Sequence, residues 1–140
     1  MVSNKKTPMD PDPFADMLGI EIVEMADGHA RARLEMRPEL SSSPETMIAH
    51  GGVPYALADH TGGAAVISVV GHWPAPTIDM RLDYLRPVTD DLRAEAEVLR
   101  AGRDIATVSV ELSTPGDETV AVGRGAYKTG GSGGENAWLE

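Results

Sequence analysis

A chain of 140 residues has room for one domain, and a core of that size is normally self-supporting. The absence of cysteine excludes disulfides, thiolate metal sites and a cysteine nucleophile, and points to the cytoplasm. The formal charge of −10 argues against nucleic acid as a partner, because phosphate backbones select basic surfaces, and no apolar run approaches the ~20 residues that a membrane span needs.

Residues 1–12 are polar and punctuated by Pro8 and Pro11, and no apolar stretch follows Lys5 and Lys6, so they read as a disordered lead-in and not a secretory signal. Residues 12–18 suit a short helix stopped by Gly19. Residues 20–25 alternate, Asp27-Gly28 is a hairpin signal, and Ala30, Ala32, Leu34 and Met36 then alternate with His29, Arg31, Arg33 and Glu35. A serine- and proline-rich loop covers 38–49. Residues 53–70 are apolar on every side, the pattern of a buried helix, with Pro54 at a first-turn position where its missing N–H is no loss. Gly62-Gly63 within it predicts the close approach of another backbone. Four more alternating stretches follow. Ile78, Met80, Leu82 and Tyr84 share one face, which puts Thr77 on the opposite one. Ala94, Ala96 and Val98 form the next set, then Ala106, Val108, Val110 and Leu112, and residues 120–127 close the series. The tail 130–140 begins Gly-Gly-Ser-Gly-Gly and reads as a flexible linker, leaving one domain over 13–129. Two strands, a buried helix and four strands predict an α+β fold in which an antiparallel sheet wraps a central helix.

Asp59 is the anomaly of that helix, since a carboxylate among apolar neighbours costs several kcal/mol unless it is paired. Groups retained at such a cost are often tuned for acid, base or nucleophile work. His50-Gly51-Gly52 opens the same helix, where backbone N–H groups lack partners and the helix dipole favours negative charge. A glycine there lets a carbonyl approach, which makes an oxyanion site for acyl transfer. Gly51 and Asp59 lie eight positions apart, about 12 Å along a helix, too far for one carbonyl to meet both in the same chain. Cooperation between them requires two protomers, and twofold symmetry then produces two identical sites per dimer.

These motifs, His50-Gly51-Gly52, Ala58-Asp59 and the run from Asp79 to Pro87 ending Tyr84-Leu85-Arg86-Pro87, resemble the phenylacetate-degradation (PaaI-like) branch of the hotdog-fold acyl-CoA thioesterases over residues 14–128. The resemblance implies hydrolysis of an acyl- or aryl-acyl-CoA thioester with no dissociable cofactor, and the histidine spacing separately predicts no metal. It implies a homodimer, with a dimer of dimers as the expected assembly. It places the oxyanion donor on Gly51, the nucleophile or general base on Asp59, a site-shaping role on His50, and assistance to the attacking water on Thr77. Two positions depart from the family pattern: Pro44 stands where an Asn or Gln is common, and Met47 where a glycine is usual. Ser42, Ser43 and Thr46 are the candidates to replace the missing amide. Gly52, Met47, Tyr55 and Leu57 are the expected pocket lining, and Arg86 and Arg103, with Arg100 and Lys128, are strand-end cations available to a coenzyme A nucleotide. Two other readings share the fold: a non-catalytic acyl-CoA-binding module, and a hydratase or dehydratase. His29 reads as solvated, His60 as an interface or core residue, and His72 as covering the helix end. None of the histidines has His-x-x-x-His spacing.

Overall fold

In the computed structural model, residues 11–130 are described. Apart from Pro11, Asp12 and Gly130, the expected lead-in and tail lie outside them. Helix α1 (Pro13–Leu18) starts on Asp12, whose Oδ1 accepts the Ala15 N–H at 3.1 Å, and stops on Gly19 at φ 83°. That is the glycine C-cap its sequence predicts. Strands β1 (Glu21–Ala26) and β2 (His29–Leu34) form a hairpin through Asp27 at φ 53° and Gly28 at φ 80°. Positive φ at both central positions is the demand of a type I′ turn, which explains Asp-Gly. A 3₁₀ turn (Pro38–Leu40) and the loop that follows lead into α2 (Gly52–Val70). Strands β3 (Thr77–Tyr84), β4 (Leu92–Ala101), β5 (Ile105–Ser113) and β6 (Thr119–Lys128) complete the chain.

The six strands form one antiparallel sheet in the order β1-β2-β4-β5-β6-β3, wrapped around α2, which is the hotdog arrangement. Inward positions of the central strands carry the alternating apolar set, including Ala30, Ala32, Ala94, Ala96, Val108, Val110 and Leu112. The small alanines on β2 and β4 leave room for the helix, whose Leu57, Ala58, Ala64, Ala65 and Val66 are fully buried. Burying a side chain the size of Leu57 or Val66 contributes about 1.5–3 kcal/mol.

The helix is not apolar all round in its surroundings, however. Gly52 and Tyr55 are exposed and Ala56, Asp59 and His60 half-buried, so one strip at helical spacing leaves the sheet and faces outward. The Gly62 expectation is also corrected. What comes close is a side chain, not a backbone: a Cβ at Gly62 would meet the Tyr127 hydroxyl and stand 3.1 Å from both the Tyr127 ring and Val108 Cγ2. Among the described residues no helix is long and apolar enough to cross a membrane, and no group of three His, Asp or Glu gathers as a metal site.

Candidate active site

The start of α2 uses up its amide donors one by one. His50 Nδ1 accepts the Gly52 N–H at 2.9 Å, so the proton of the neutral ring sits on Nε2. The Val53 N–H donates to the His50 carbonyl at 2.9 Å, and Pro54 has no N–H to offer. Among the described residues the Gly51 N–H is left without a partner. Its direction follows from the same bonds. The His50 carbonyl points into the helix, and in a trans peptide the N–H of Gly51 must then point the other way, out of the chain. The Gly51 carbonyl is held separately by the Tyr84 hydroxyl. A cleft of about 390 Å³ opens at this corner, lined by Ile48, Gly51, Pro54, Tyr84, Arg86 and Val88.

Two turns further along, Asp59 lies on the outward strip. Its Oδ1 accepts the Thr77 hydroxyl at 2.7 Å and lies 3.0 Å from the Tyr127 hydroxyl, which also lies 2.8 Å from the Asp59 backbone carbonyl. Among the described residues no donor reaches Oδ2. Thr77 arrives there because simple alternation fails. The β3–β6 register slips between Thr77 and Asp79, which leaves Ile78 unpaired in a bulge and 55% exposed. The slip pairs Thr77 with Tyr127 and Met80 with Gly125, so Thr77 shares the inward face with Met80 and Leu82. The expectation that Thr77 faces away from them is wrong, and the bulge is the reason.

The chain as a whole has counterparts among known proteins. The sequence pattern of the thioesterase superfamily matches residues 47–121, more than half of the chain, from the loop before α2 to the start of β6. A Halobacterium salinarum protein is 33% identical over 133 residues, covering 86% of each chain. The acyl-coenzyme A thioesterase PaaI of Escherichia coli is 30% identical over 124 residues, again 86% of each. A solved structure of a variant of the phenylacetic acid degradation protein PaaI from Thermus thermophilus superposes with a TM-score of 0.74 at 31% identity, covering 84% of this chain and 98% of that one.

The chain belongs to the thioesterase superfamily. Within it the thioesterase is PaaI-like, and its class of reaction is thioester hydrolysis.

The other residues singled out by sequence fall into two groups in the thioesterase. Tyr55 is 39% exposed on the outward strip, with its hydroxyl donating to the Met80 carbonyl. Met47 is half-buried in the loop before His50, at φ 55°. A left-handed backbone there accounts for the usual family glycine: Met47 keeps the conformation that glycine would adopt without strain. Pro44 is exposed, and of the candidates to replace the family's amide Ser42 donates its hydroxyl to the Ile48 carbonyl at 3.2 Å, Ser43 is half-buried and Thr46 is exposed. Arg86 lines the cleft beside Gly51, with Nη1 3.7 Å from Glu118 Oε2. Leu57 is 0% exposed because it faces the sheet and belongs to the core, which takes it out of the expected pocket lining. Arg103 sits exposed in the β4–β5 turn, beyond the Ala101–Ala106 pair, whereas Tyr84 and Gly51 lie at the other end of the sheet. One chain therefore brings Arg86 to Gly51 and does not bring Arg103.

His60 Nδ1 lies 3.5 Å from Asp12 Oδ2, which ties α1 to the turn that carries Asp59. His29 is half-buried between Glu24 and Glu95, at 3.7 and 3.4 Å. Two tyrosines were missed as site residues. Burial, then repulsion from Tyr55, pushes the Tyr84 phenol above its ordinary value. Burial first, and then the Asp59 carboxylate, pushes Tyr127 well above its own. Both remain protonated donors at neutral pH. Tyr84 stood inside the Tyr-Leu-Arg-Pro motif without a role. The signal for Tyr127 was a volume match, a glycine in a buried helix facing a large inward aromatic.

Proposed function

We propose that this chain hydrolyses acyl- or aryl-acyl-coenzyme A, with Asp59 as nucleophile or general base and the Gly51 N–H as oxyanion donor. The observation that carries the reading is the division of labour along α2: an acid with one carboxylate oxygen held and the other open, and a free amide about 12 Å away on the same helix. Along the general-base route, Asp59 takes a proton from water as the water oxygen bonds to the thioester carbon. The carbonyl oxygen becomes an oxyanion on the Gly51 N–H, and collapse expels the coenzyme A thiolate, which takes up a proton. Along the nucleophilic route, the carboxylate bonds to that carbon, the C–S bond breaks and the coenzyme A thiolate leaves and takes up a proton; water then cleaves the resulting anhydride into the free acid and the Asp59 carboxylate. Single turnover in ¹⁸O-water identifies the second route by label in Asp59, which enters when water attacks the Asp59 carbonyl carbon of the anhydride.

The 12 Å gap makes the site a shared one, with Gly51 of one subunit facing Asp59 of the other. Support comes from β3. Among the described residues it is an edge strand with an unpaired row of backbone groups, it carries Thr77 beside Asp59, and exposed Ile78, Tyr84 and Tyr55 lie on it or next to it. Two such edges meeting would cover this apolar surface, bring the outward strips of two helices together, and place a partner's Arg103 near the Gly51 that its own chain cannot reach. Arg86 supplies a local cation for an anionic substrate on a protein of net charge −10.

The test is a panel of acyl- and aryl-acyl-CoAs assayed by release of free thiol, with oligomeric state measured by light scattering on the same preparation. Turnover by a dimer or larger assembly is expected. Failure to cleave any member of a broad panel, or full activity as a monomer, would overturn the reading.

A further inference from the structure

The catalytic acid of the proposed reaction is held by more than the threonine beside it. Tyr127 is the largest fully buried side chain among the described residues, 1% exposed, and its hydroxyl lies at the foot of Asp59, 2.8 Å from the backbone carbonyl and 3.0 Å from Oδ1. A phenol has one proton, so the two acceptors share it in a three-centre bond. The ring reaches that point only through the gap at Gly62, one turn beyond Asp59's own position, where any Cβ would run into the hydroxyl. Gly62 lies inside a buried helix, where glycine costs about 1 kcal/mol against alanine. The gap is filled from the sheet by an aromatic whose polar end meets the reacting carboxylate.

We infer that Tyr127 is a positioning residue for Asp59: with Thr77 it pins Oδ1 and so makes Oδ2 the oxygen that meets water or the thioester, and Gly62 exists to admit it. This inference rests on the reading of Asp59 as the reacting acid. A carboxylate free to rotate presents either oxygen and spends part of its time turned away. One whose Oδ1 is fixed from two directions presents Oδ2 in a single orientation before substrate arrives, and pre-orientation of a reacting group is worth orders of magnitude in rate. The two donors differ in origin. Thr77 comes from the bulged end of β3 and Tyr127 from the β6 position paired with it, so the register of one strand pair sets both. The phenol is buried away from solvent, and its link to the reaction runs through Asp59.

Tyr127→Phe keeps the ring in the Gly62 gap and removes only the hydroxyl. Using the best-hydrolysed member of the acyl-CoA panel, kcat is expected to fall at least ~10-fold with KM within threefold and Tm within a few degrees of wild type. Combining Tyr127→Phe with Thr77→Val is expected to lower kcat by clearly less or clearly more than the product of the single losses, because both hold the same oxygen. A purely structural tyrosine would lower Tm, leave kcat alone and give multiplicative losses. Asp59→Asn serves as the reference. If it abolishes turnover while Tyr127→Phe stays within twofold of wild type, the inference fails and the role of Asp59 stands. Near-normal turnover in Asp59→Asn overturns the role of Asp59, and this inference with it.

Discussion

The first turn of α2 and its third turn solve opposite problems. At the first turn, the proposed oxyanion donor arises by subtraction. The His50 ring and the His50 carbonyl take the Gly52 and Val53 amides, Pro54 offers none, and one N–H at Gly51 is left pointing outward. At Asp59, the proposed reacting acid is set up by addition. Two hydroxyls are brought from β3 and β6 to occupy one oxygen of a carboxylate that would otherwise be costly at a half-buried position. An oxyanion donor must be unsatisfied until charge develops on the substrate, whereas a base or nucleophile must be held still without being neutralised. The comparison shows how one helix presents both a spare amide and a held carboxylate: its end supplies spare donors, and its side supplies a face that other strands can reach.

The largest effect should come from the side. Asp59→Asn preserves shape and the Thr77 contact but removes the charge, and kcat should fall at least ~100-fold with the circular dichroism spectrum unchanged. Near-normal turnover would mean that the held carboxylate is structural. At the first turn, Gly51→Pro deletes the amide, and the φ of −55° already suits proline. Loss of one oxyanion donor predicts a fall in kcat of about 100-fold. Gly51→Ala keeps the N–H, and a Cβ there comes no nearer than 3.9 Å to Tyr84, so less than a tenfold loss is expected. Equal losses in the two variants would show that the absence of a side chain matters and the amide does not.

How legible each region was in the sequence follows from the same contrast. The first turn uses local bonds, so His-Gly-Gly followed by Pro two positions later announces it. The hotdog order of two strands, helix and four strands was also readable, because alternation and an apolar helix are local patterns. The surroundings of Asp59 depend on a bulge at Ile78 and on the pairing of Thr77 with Tyr127, fifty positions later in the chain. Period-two counting put Thr77 on the wrong face because one unpaired residue inverts every assignment before it. Leu57 was misplaced for a related reason. On a helix that is apolar throughout, composition cannot distinguish the strip facing the sheet from the strip facing outward.

A smaller effect separates Tyr127 from its neighbours by pH. Its phenol, held above the ordinary value of 10.0 chiefly by burial and then by Asp59, stays protonated in the fold after the unfolded chain has released its proton. The stability it contributes is whole below about pH 10 and is lost as pH rises toward the folded value. Wild type should therefore lose Tm steeply above pH ~10, and Tyr127→Phe should lose less over the same interval, narrowing the gap between the two proteins. Parallel alkaline melting curves would mean that the phenol ionises as easily in the fold as outside it.

The smallest expected effect concerns the loop that delivers His50 to the first turn. Met47 holds φ 55°, a region where a side chain costs about 1–2 kcal/mol that glycine escapes. Glycine in turn gains about 0.4–1 kcal/mol of unfolded-state freedom. The balance leaves Met47→Gly more stable by roughly 0.5–1 kcal/mol, a rise in Tm of a few degrees. Met47→Val should move the other way, since a β-branched residue tolerates the left-handed region least. The loop has other anchors that hold its path: the Ser41–Ala49 bridge, the Ser42 N–H on the Ile48 carbonyl at 2.8 Å, the Ala49 N–H on the Val88 carbonyl at 2.8 Å, and the His50 N–H on the Leu40 carbonyl at 2.8 Å. Because these bonds fix the backbone independently of the residue at 47, the strain is retained and not relieved by a change of conformation. A thermal melt in which Met47→Gly is no more stable than wild type, and Met47→Val no less, would show that the loop relaxes, and that the direction of the Gly51 amide is set by the helix alone.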